Sequence, residues 1–260
     1  MTLRWIRAAL AGVAALALSL TGCGGDEPTA QDGGGRVTVF AAASLTESFT
    51  TLGRDFEAAH PGTTVVFNFA GSSALATQIT QGAPADVFAA ASPATMKTVT
   101  DAGDAAGAPV TLVRNQLVIA VPKGNPHRIA GLADLARPGV KVALCAEQVP
   151  CGAAAKMALE AAAVKLTPAT LEQDVKGALA KVKLGEVDAA LVYRTDVRAA
   201  AAELDAVEFP ESTRAVNDYP IVVLKRADNP AGARAFVDYV RSAAGRTVLT
   251  AAGFQAPPDQ

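Results

Sequence analysis

From Arg36 onward, short apolar β-prone runs alternate with stretches whose apolar residues recur at helical spacing, and that alternation restricts the chain to few architectures. Strand signals fall at residues 37–40, 65–69, 86–90, 116–121, 141–145, 187–193 and 221–224. Between them, a helix beginning at Ser44 places Leu45, Phe49, Leu52 and Phe56 on one face. A second, from about Ser73, carries Leu75 and Ile79 and gives way at Gly82 and Pro84. A short helix follows Pro93, residues 122–126 read as a break, an alanine-rich helix follows Gly152, and another spans 174–184. Asn229-Pro230 opens a last helix through Val240, as a cap plus first-turn proline. The pattern predicts an α/β protein with mainly parallel sheets flanked by helices. Half of the residues are hydrophobic, enough for a substantial core in one or two domains. No tandem repeat of solenoid length is present.

Two of these units repeat one arrangement. Residues 37–40 lead through Ala41, Ala42 and Ala43 to Ser44, and residues 65–69 lead through Ala70 and Gly71 to Ser72. A serine at such a place caps its helix, and the uncapped amides beside it can grip an anion. Ser44 and Glu47 also have the spacing of a capping box.

The N-terminus carries Arg4 and Arg7 and then an apolar run over residues 8–20, the charged and hydrophobic regions of a secretion signal. The run is too short for a spanning helix. It ends in Leu20, Thr21, Gly22 and Cys23, which resembles the bacterial lipoprotein signal, in which the cysteine is lipidated and becomes N-terminal. An ordinary cleavage site at Ala15-Leu16-Ala17 is the alternative, and it would leave Leu18 and Leu20 on the mature end. Residues 1–22 are therefore expected to be a lipoprotein signal peptide and residues 23–35 a flexible, core-less tether. Lipidated Cys23 would hold the protein on the outer face of the cell membrane. Removing residues 1–22 takes away two positive charges and leaves a chain more acidic than the formal net charge of -2. Such a chain has no electrostatic footprint for nucleic acid.

With Cys23 assigned to lipid, Cys145 and Cys151 remain as a possible disulfide in an exported protein, with two free buried thiols as the alternative. His60 and His127 have no cysteine or histidine at ligand spacing, so no directly ligated metal and no cofactor are expected. Local catalytic motifs are missing as well. No G-x-S-x-G surrounds a serine, no lysine lies three residues after one, no Gly-Lys dipeptide permits a phosphate loop, and no G-x-G-x-x-G follows a strand. The expectation is a binding protein with no catalytic residues.

The ordered set of segments 37–49 (VTVFAAASLTESF), 67–79 (FNFAGSSALATQI), 82–88 (GAPADVF), 149–152 (VPCG), 174–178 (DVKGA), the GEVDAALVYRTD stretch around 187–193, and 219–224 (YPIVVL) resembles the periplasmic molybdate-binding proteins of molybdate ABC transporters. The likeness runs in order from Arg36 to Phe254. It implies a two-lobed periplasmic-binding-protein fold, with residues 36–118 and 219–260 as one lobe, residues 119–218 as the other, and the ligand in the cleft between them. It also implies a molybdate shell made of Ser44 and Ser72, through hydroxyl and amide, the Cys151 and Val175 amides, and the Tyr193 hydroxyl. Cys151 departs from members that carry alanine there, a change that spares an amide donor. Asp86 and Asn115 are read as structural.

The resemblance further implies a monomer that captures molybdate, and tungstate with it, and hands it to a membrane permease. A dianion buried without a cationic side chain must satisfy its oxygens from helix-terminal amides and neutral hydroxyls. Such an all-donor shell disfavours a protonated anion such as hydrogen phosphate. A receptor for sulfate or another tetrahedral oxyanion would use the same logic. A secreted hydrolase with Ser44 or Ser72 as nucleophile would instead need a base beside that serine.

Overall fold

Alternation of side chains along the first strand sets out the first layer of the molecule. In β1 (Gly35–Ala42), Val37, Val39 and Ala41 point into one apolar cluster and Phe40 into another, as a strand's period of two requires. The computed structural model describes residues 34–257, which fall within one compact unit, Asp32–Gln260. The expected signal peptide, Cys23 and nearly all of the tether lie outside the described residues.

A 3-10 turn at Ala43–Leu45 carries β1 into α1 (Thr46–Ala59). Then come β2 (Thr63–Ala70), α2 (Ser72–Thr80), β3 (Val87–Ala89), α3 (Pro93–Asp101) and β4 (Val110–Asn115). The chain next enters a second sheet through β5 (Leu117–Pro122). There it forms β6 (Val142–Cys145), α4 (Pro150–Ala161), β7 (Thr170–Glu172), α5 (Val175–Lys183), β8 (Ala189–Tyr193), α6 (Arg194–Ala199) and β9 (Leu204–Val207). It returns as β10 (Asn217–Val223) and ends in α7 (Pro230–Arg241) and α8 (Ala243–Ala252).

The first sheet has the order β2-β1-β3-β10-β4 and the second β7-β6-β8-β5-β9. Each is mixed. Pairings β1/β2, β1/β3, β6/β7 and β6/β8 are parallel, whereas β10 and β5 run antiparallel to both of their neighbours. The parallel parts follow from helical crossovers, which need a dozen or more residues. The antiparallel strands are those on which the chain passes between sheets. Leu117 and Val118, which the sequence reading assigns with the first lobe, pair with Tyr193 and Val192 in the second sheet. Asn217 already pairs with Asn115 in the first. Both passages thus lie about two residues earlier than the sequence reading sets them, because an unbroken apolar run carries no mark of which sheet it joins.

The helical spacing in α1 acts as expected, with Leu45, Phe49, Leu52 and Phe56 all buried. Phe49 and Phe56 meet Phe236 of α7 edge to face, and Phe67 of β2 completes the group. Burying each such ring contributes roughly 1.5–3 kcal/mol. On the opposite face of the same sheet, Leu75 and Ile79 of α2 and Met96 and Val99 of α3 cover Phe40, Phe88 and Val222. Asp86 is structural: its carboxylate accepts the Thr38 and Asn229 amides. Asn229 in turn caps α7 by accepting from the Gly232 amide.

Candidate functional site

The carboxyl ends of the parallel strands converge on one cavity. Ala42 of β1 lies opposite Ala70 of β2, so the two small-residue corners that follow bring Ser44 and Ser72 out side by side. In the second sheet β7, β6 and β8 are parallel neighbours. Their carboxyl ends hold the start of α5, the start of α4, and Tyr193. Ser44, Ser72, Cys151, Val175 and Tyr193 all line the cavity, together with Asp174 and small or apolar residues from both sheets. This is the switch-point edge at which α/β proteins hold their ligands.

Neither serine caps a helix. Leu45 is the N-cap of α1 and Gly71 that of α2, both without a side-chain cap, and no Ser44–Glu47 capping box forms. The 3-10 turn after β1 pushes the start of α1 beyond Ser44, while Ser72 already lies inside the first turn of α2. Both hydroxyls bond elsewhere. Ser44 Oγ lies 2.8 Å from the Tyr219 hydroxyl, and Ser72 Oγ accepts from the Ala91 amide at 3.0 Å. Glu47 instead pairs with Lys176 at 2.8 Å. The backbone amides of a first helical turn lack intrahelical partners. Ser72 in α2, Cys151 in α4 and Val175 in α5 occupy such positions.

Close contacts hold these amides in place. Cys145 and Cys151 form a disulfide, with Cα atoms 5.7 Å apart, tying the end of β6 to the first turn of α4. Glycine is required next to it, since a Cβ at Gly152 would meet the Ala146 carbonyl oxygen at 1.9 Å. At α5, the Asp174 carboxylate accepts the Gly177 amide at 2.9 Å. Asp174 is thus an acidic wall residue whose charge faces a helix N-terminus, where an anionic cap is stabilised. Asp174 opens the DVKGA segment, whose residue pattern does not by itself mark this role.

No lysine or arginine lines the cavity among the described residues. Lys176, one residue beyond Val175, reaches Glu47 of α1 and forms an ion pair with Asp196 Oδ1 at 3.0 Å. Burial lowers the affinity of Lys176 for its proton, but Asp196 and Glu47 more than offset this and hold its pKa above the ordinary value. Asp196 is fully buried, and burial pushes its pKa up to about 6 against the opposing pull of Lys176. Its Oδ2 accepts the Tyr193 backbone amide at 3.2 Å, which fixes the corner after β8. Burial also drives the Tyr193 hydroxyl well above its ordinary pKa, so it stays protonated and able to donate.

Three polar residues behind the cavity escape the sequence reading in this role: Asn217, Tyr219 and Thr195. Asn217 reaches Tyr193, while Asn115, read as structural, joins Thr195 to Tyr219. Nothing in periodicity marks them, because their partners lie 24 to 175 residues away. The histidines stand apart from the cavity. His60 bonds to the Phe56 carbonyl and stacks on its ring, and His127 pairs with Asp188. Neither serine therefore has a histidine base beside it. Among the described residues, no group of three or more His, Cys, Asp or Glu side chains is arranged to hold a metal ion.

The cavity offers about 20 Å³ to the centre of a water molecule. That is a small space, on the scale of a single small ion.

Comparison with known proteins agrees with this architecture. Residues 37–255 match the family model described as bacterial extracellular solute-binding protein. The chain is 44% identical to the molybdate-binding protein ModA of Mycobacterium tuberculosis, over 98% of this chain and 100% of the relative. Among solved structures, the periplasmic molybdate-binding protein of Azotobacter vinelandii superposes with a TM-score of 0.74 at 20% identity, covering 85% of this chain and 100% of that one. The sulfate-binding protein SubI of Mycobacterium tuberculosis gives 0.70 at 20% identity, covering 84% and 86%. The last two likenesses show a common fold. The chain belongs to the bacterial extracellular solute-binding protein family.

Proposed function

We propose that this protein captures molybdate, and tungstate with it, as a dianion in the cavity between its two sheets, and delivers it to the membrane permease of an ABC transporter. The observation that carries the reading is the donor set. Ser44, Ser72, Cys151, Val175 and Tyr193 surround a space on the scale of a single small ion, with no lysine or arginine in its lining among the described residues. Ser44 and Ser72 would give hydroxyl and amide hydrogens, Cys151 and Val175 amide hydrogens, and Tyr193 its hydroxyl. Burying a dianion demands that its oxygens find donors, and helix N-termini with about half a positive charge each supply part of what a cation would. The full-length likeness to a curated molybdate-binding protein supports the choice of anion.

The protein acts outside the cytoplasm as a monomer, anchored through lipidated Cys23 and a tether over residues 23–35. It works by binding and release, not by catalysis. Isothermal titration of the mature chain with molybdate, tungstate and sulfate tests the proposal. Tight one-to-one binding of the first two and weak binding of sulfate is the expected result. Preference for sulfate would reassign the cargo to the smaller anion, which the fold alone also accommodates.

A further inference from the structure

Each of the three hydroxyl side chains that line the cavity is also bonded within the wall, and the direction of those bonds is argued from the partners. Asn217 Nδ2 lies 2.7 Å from the Ala91 carbonyl oxygen, an obligate acceptor, so the amide nitrogen must face that way. The same nitrogen donates to Tyr193 Oη at 3.0 Å. Tyr193 therefore accepts from behind, and its own hydrogen is left for the cavity or for the Tyr219 hydroxyl beside it. Ser72 Oγ accepts from the Ala91 amide, which can only donate. For Ser44, the partner is the Tyr219 hydroxyl at 2.8 Å, and either oxygen could in principle give the proton. Asn115 decides between them. Its Oδ1 accepts the Gln116 amide at 3.0 Å, which turns Nδ2 toward Thr195 Oγ1 and the Tyr219 hydroxyl. Tyr219 Oη thus faces the Asn115 donor at 3.5 Å, the Tyr193 hydroxyl, which already accepts from Asn217, and Ser44 Oγ at 2.8 Å; Ser44 is the acceptor at the shortest distance, and the hydrogen is assigned to it.

We infer that Asn217 and Tyr219 are positioning residues that set the polarity of the binding shell: by donating to Tyr193 and Ser44 from behind, they turn both hydroxyl hydrogens toward the bound oxyanion. A free hydroxyl can turn to give or accept a hydrogen bond. A backed one cannot turn without leaving a buried donor unpaired, at a cost comparable to the bond itself. The three hydroxyls consequently turn their hydrogens toward the cavity, so that a tetrahedral anion that keeps a proton meets hydrogens there in place of lone pairs. The inference rests on the oxyanion reading of the cavity and adds the residues that enforce its preference for fully deprotonated anions.

A double-mutant cycle tests it. In Tyr219→Phe the ring keeps its edge-to-face contacts with Tyr193 and Phe254, and only the hydroxyl is lost. Molybdate affinity is expected to fall about 5- to 20-fold, and the ratio of molybdate to hydrogen phosphate affinity to fall with it, because Ser44 becomes free to accept. In a Ser44→Ala background the same change should cost less than about twofold, since Tyr219 acts through that hydroxyl. The pair Asn217→Ala and Tyr193→Phe forms an independent cycle with the same expectation, should either Tyr219 variant fail to fold. Additive losses in a cycle whose proteins fold, or an unchanged anion ratio in Tyr219→Phe, would overturn the polarity role while leaving the cargo intact. Absence of molybdate binding by the unsubstituted protein would overturn the cargo itself, and the inference with it.

Discussion

Gly71 sits at a close contact between the two halves of the molecule, and replacing it with alanine should weaken ligand capture more than it weakens the fold. Its backbone, at φ -57° and ψ 129°, is one that alanine adopts freely. The obstacle is across the cavity mouth: a Cβ at residue 71 would lie 2.3 Å from the Gln173 carbonyl oxygen and 3.5 Å from Asp174 Cβ. Relief to an ordinary contact near 3.4 Å requires about 1 Å of separation between the corner before α2 and the corner before α5. Both are backbone corners at the ends of sheet strands, so the strain is relieved by parting the halves. Overpacking of this kind costs about 1–3 kcal/mol. Charged to the bound form, that converts to roughly 5- to 150-fold weaker molybdate binding. Calorimetric titration of Gly71→Ala reads the affinity, and melting of the ligand-free proteins reads the fold, which should shift by less than about 2 °C. Affinity equal to that of the unsubstituted protein would refute the close approach in the complex. A ligand-free melting loss as large as the binding loss would place the strain inside the fold instead.

Other perturbations follow from the same contacts. Ser72→Ala removes one donor and should cost about 1.5–3 kcal/mol of molybdate affinity, the usual worth of a hydrogen bond to a charged group; unchanged titration curves would remove Ser72 from the site. Replacing Cys145 and Cys151 together by alanine opens a loop of sequence separation 6, for which chain-entropy arithmetic gives about 2 kcal/mol of lost stability. The melting temperature should drop by roughly 4–8 °C, while molybdate still binds through the residue 151 amide. Asp196 titrates near 6 in the folded protein, above the ordinary carboxylate value of about 3.9. Because the native state then holds the proton more tightly, the Asp196 contribution is fully present below about pH 4 and is lost as the pH rises through about 6. Denaturant titrations of the unsubstituted protein and of Asp196→Asn should diverge across that window by on the order of 3 kcal/mol, and parallel pH profiles would show that this carboxyl is not the source.

Much of the architecture could be read before any coordinates, for reasons that differ by element. The face Leu45, Phe49, Leu52 and Phe56 is a long periodic signal, and every one of its members is buried. Asn229-Pro230 announced a capped helix, and the Asn229 side chain does accept the Gly232 amide. The short elements left no such mark. β7 is three residues long and β9 four, and each exists through pairing with a neighbour far away in sequence. The helix α8 contains Gly245 and two threonines, poor helix formers, and depends on a Ser242 cap and on packing against α7 and α1. The serines at residues 44 and 72 were visible as corner residues, but their role as caps was not upheld, since a turn begun one residue earlier or later sends the hydroxyl to a different partner.

What the amino-acid order alone determined was local: which stretches alternate at a period of two or of 3.6, where small residues make tight corners, and that a family pattern singles out five residues on such corners. What only the tertiary structure decided was relational. Sheet order brought the corners of β1, β2, β6, β7 and β8 to one cavity, Gly71 came to lie against the Gln173 carbonyl, and Asn217 and Tyr219 came to stand beside hydroxyls 24 and 175 residues distant. Hydrogen-bond direction depends on both partners and on everything else that each partner touches. A one-dimensional pattern carries the donors and acceptors, but not which of them meet.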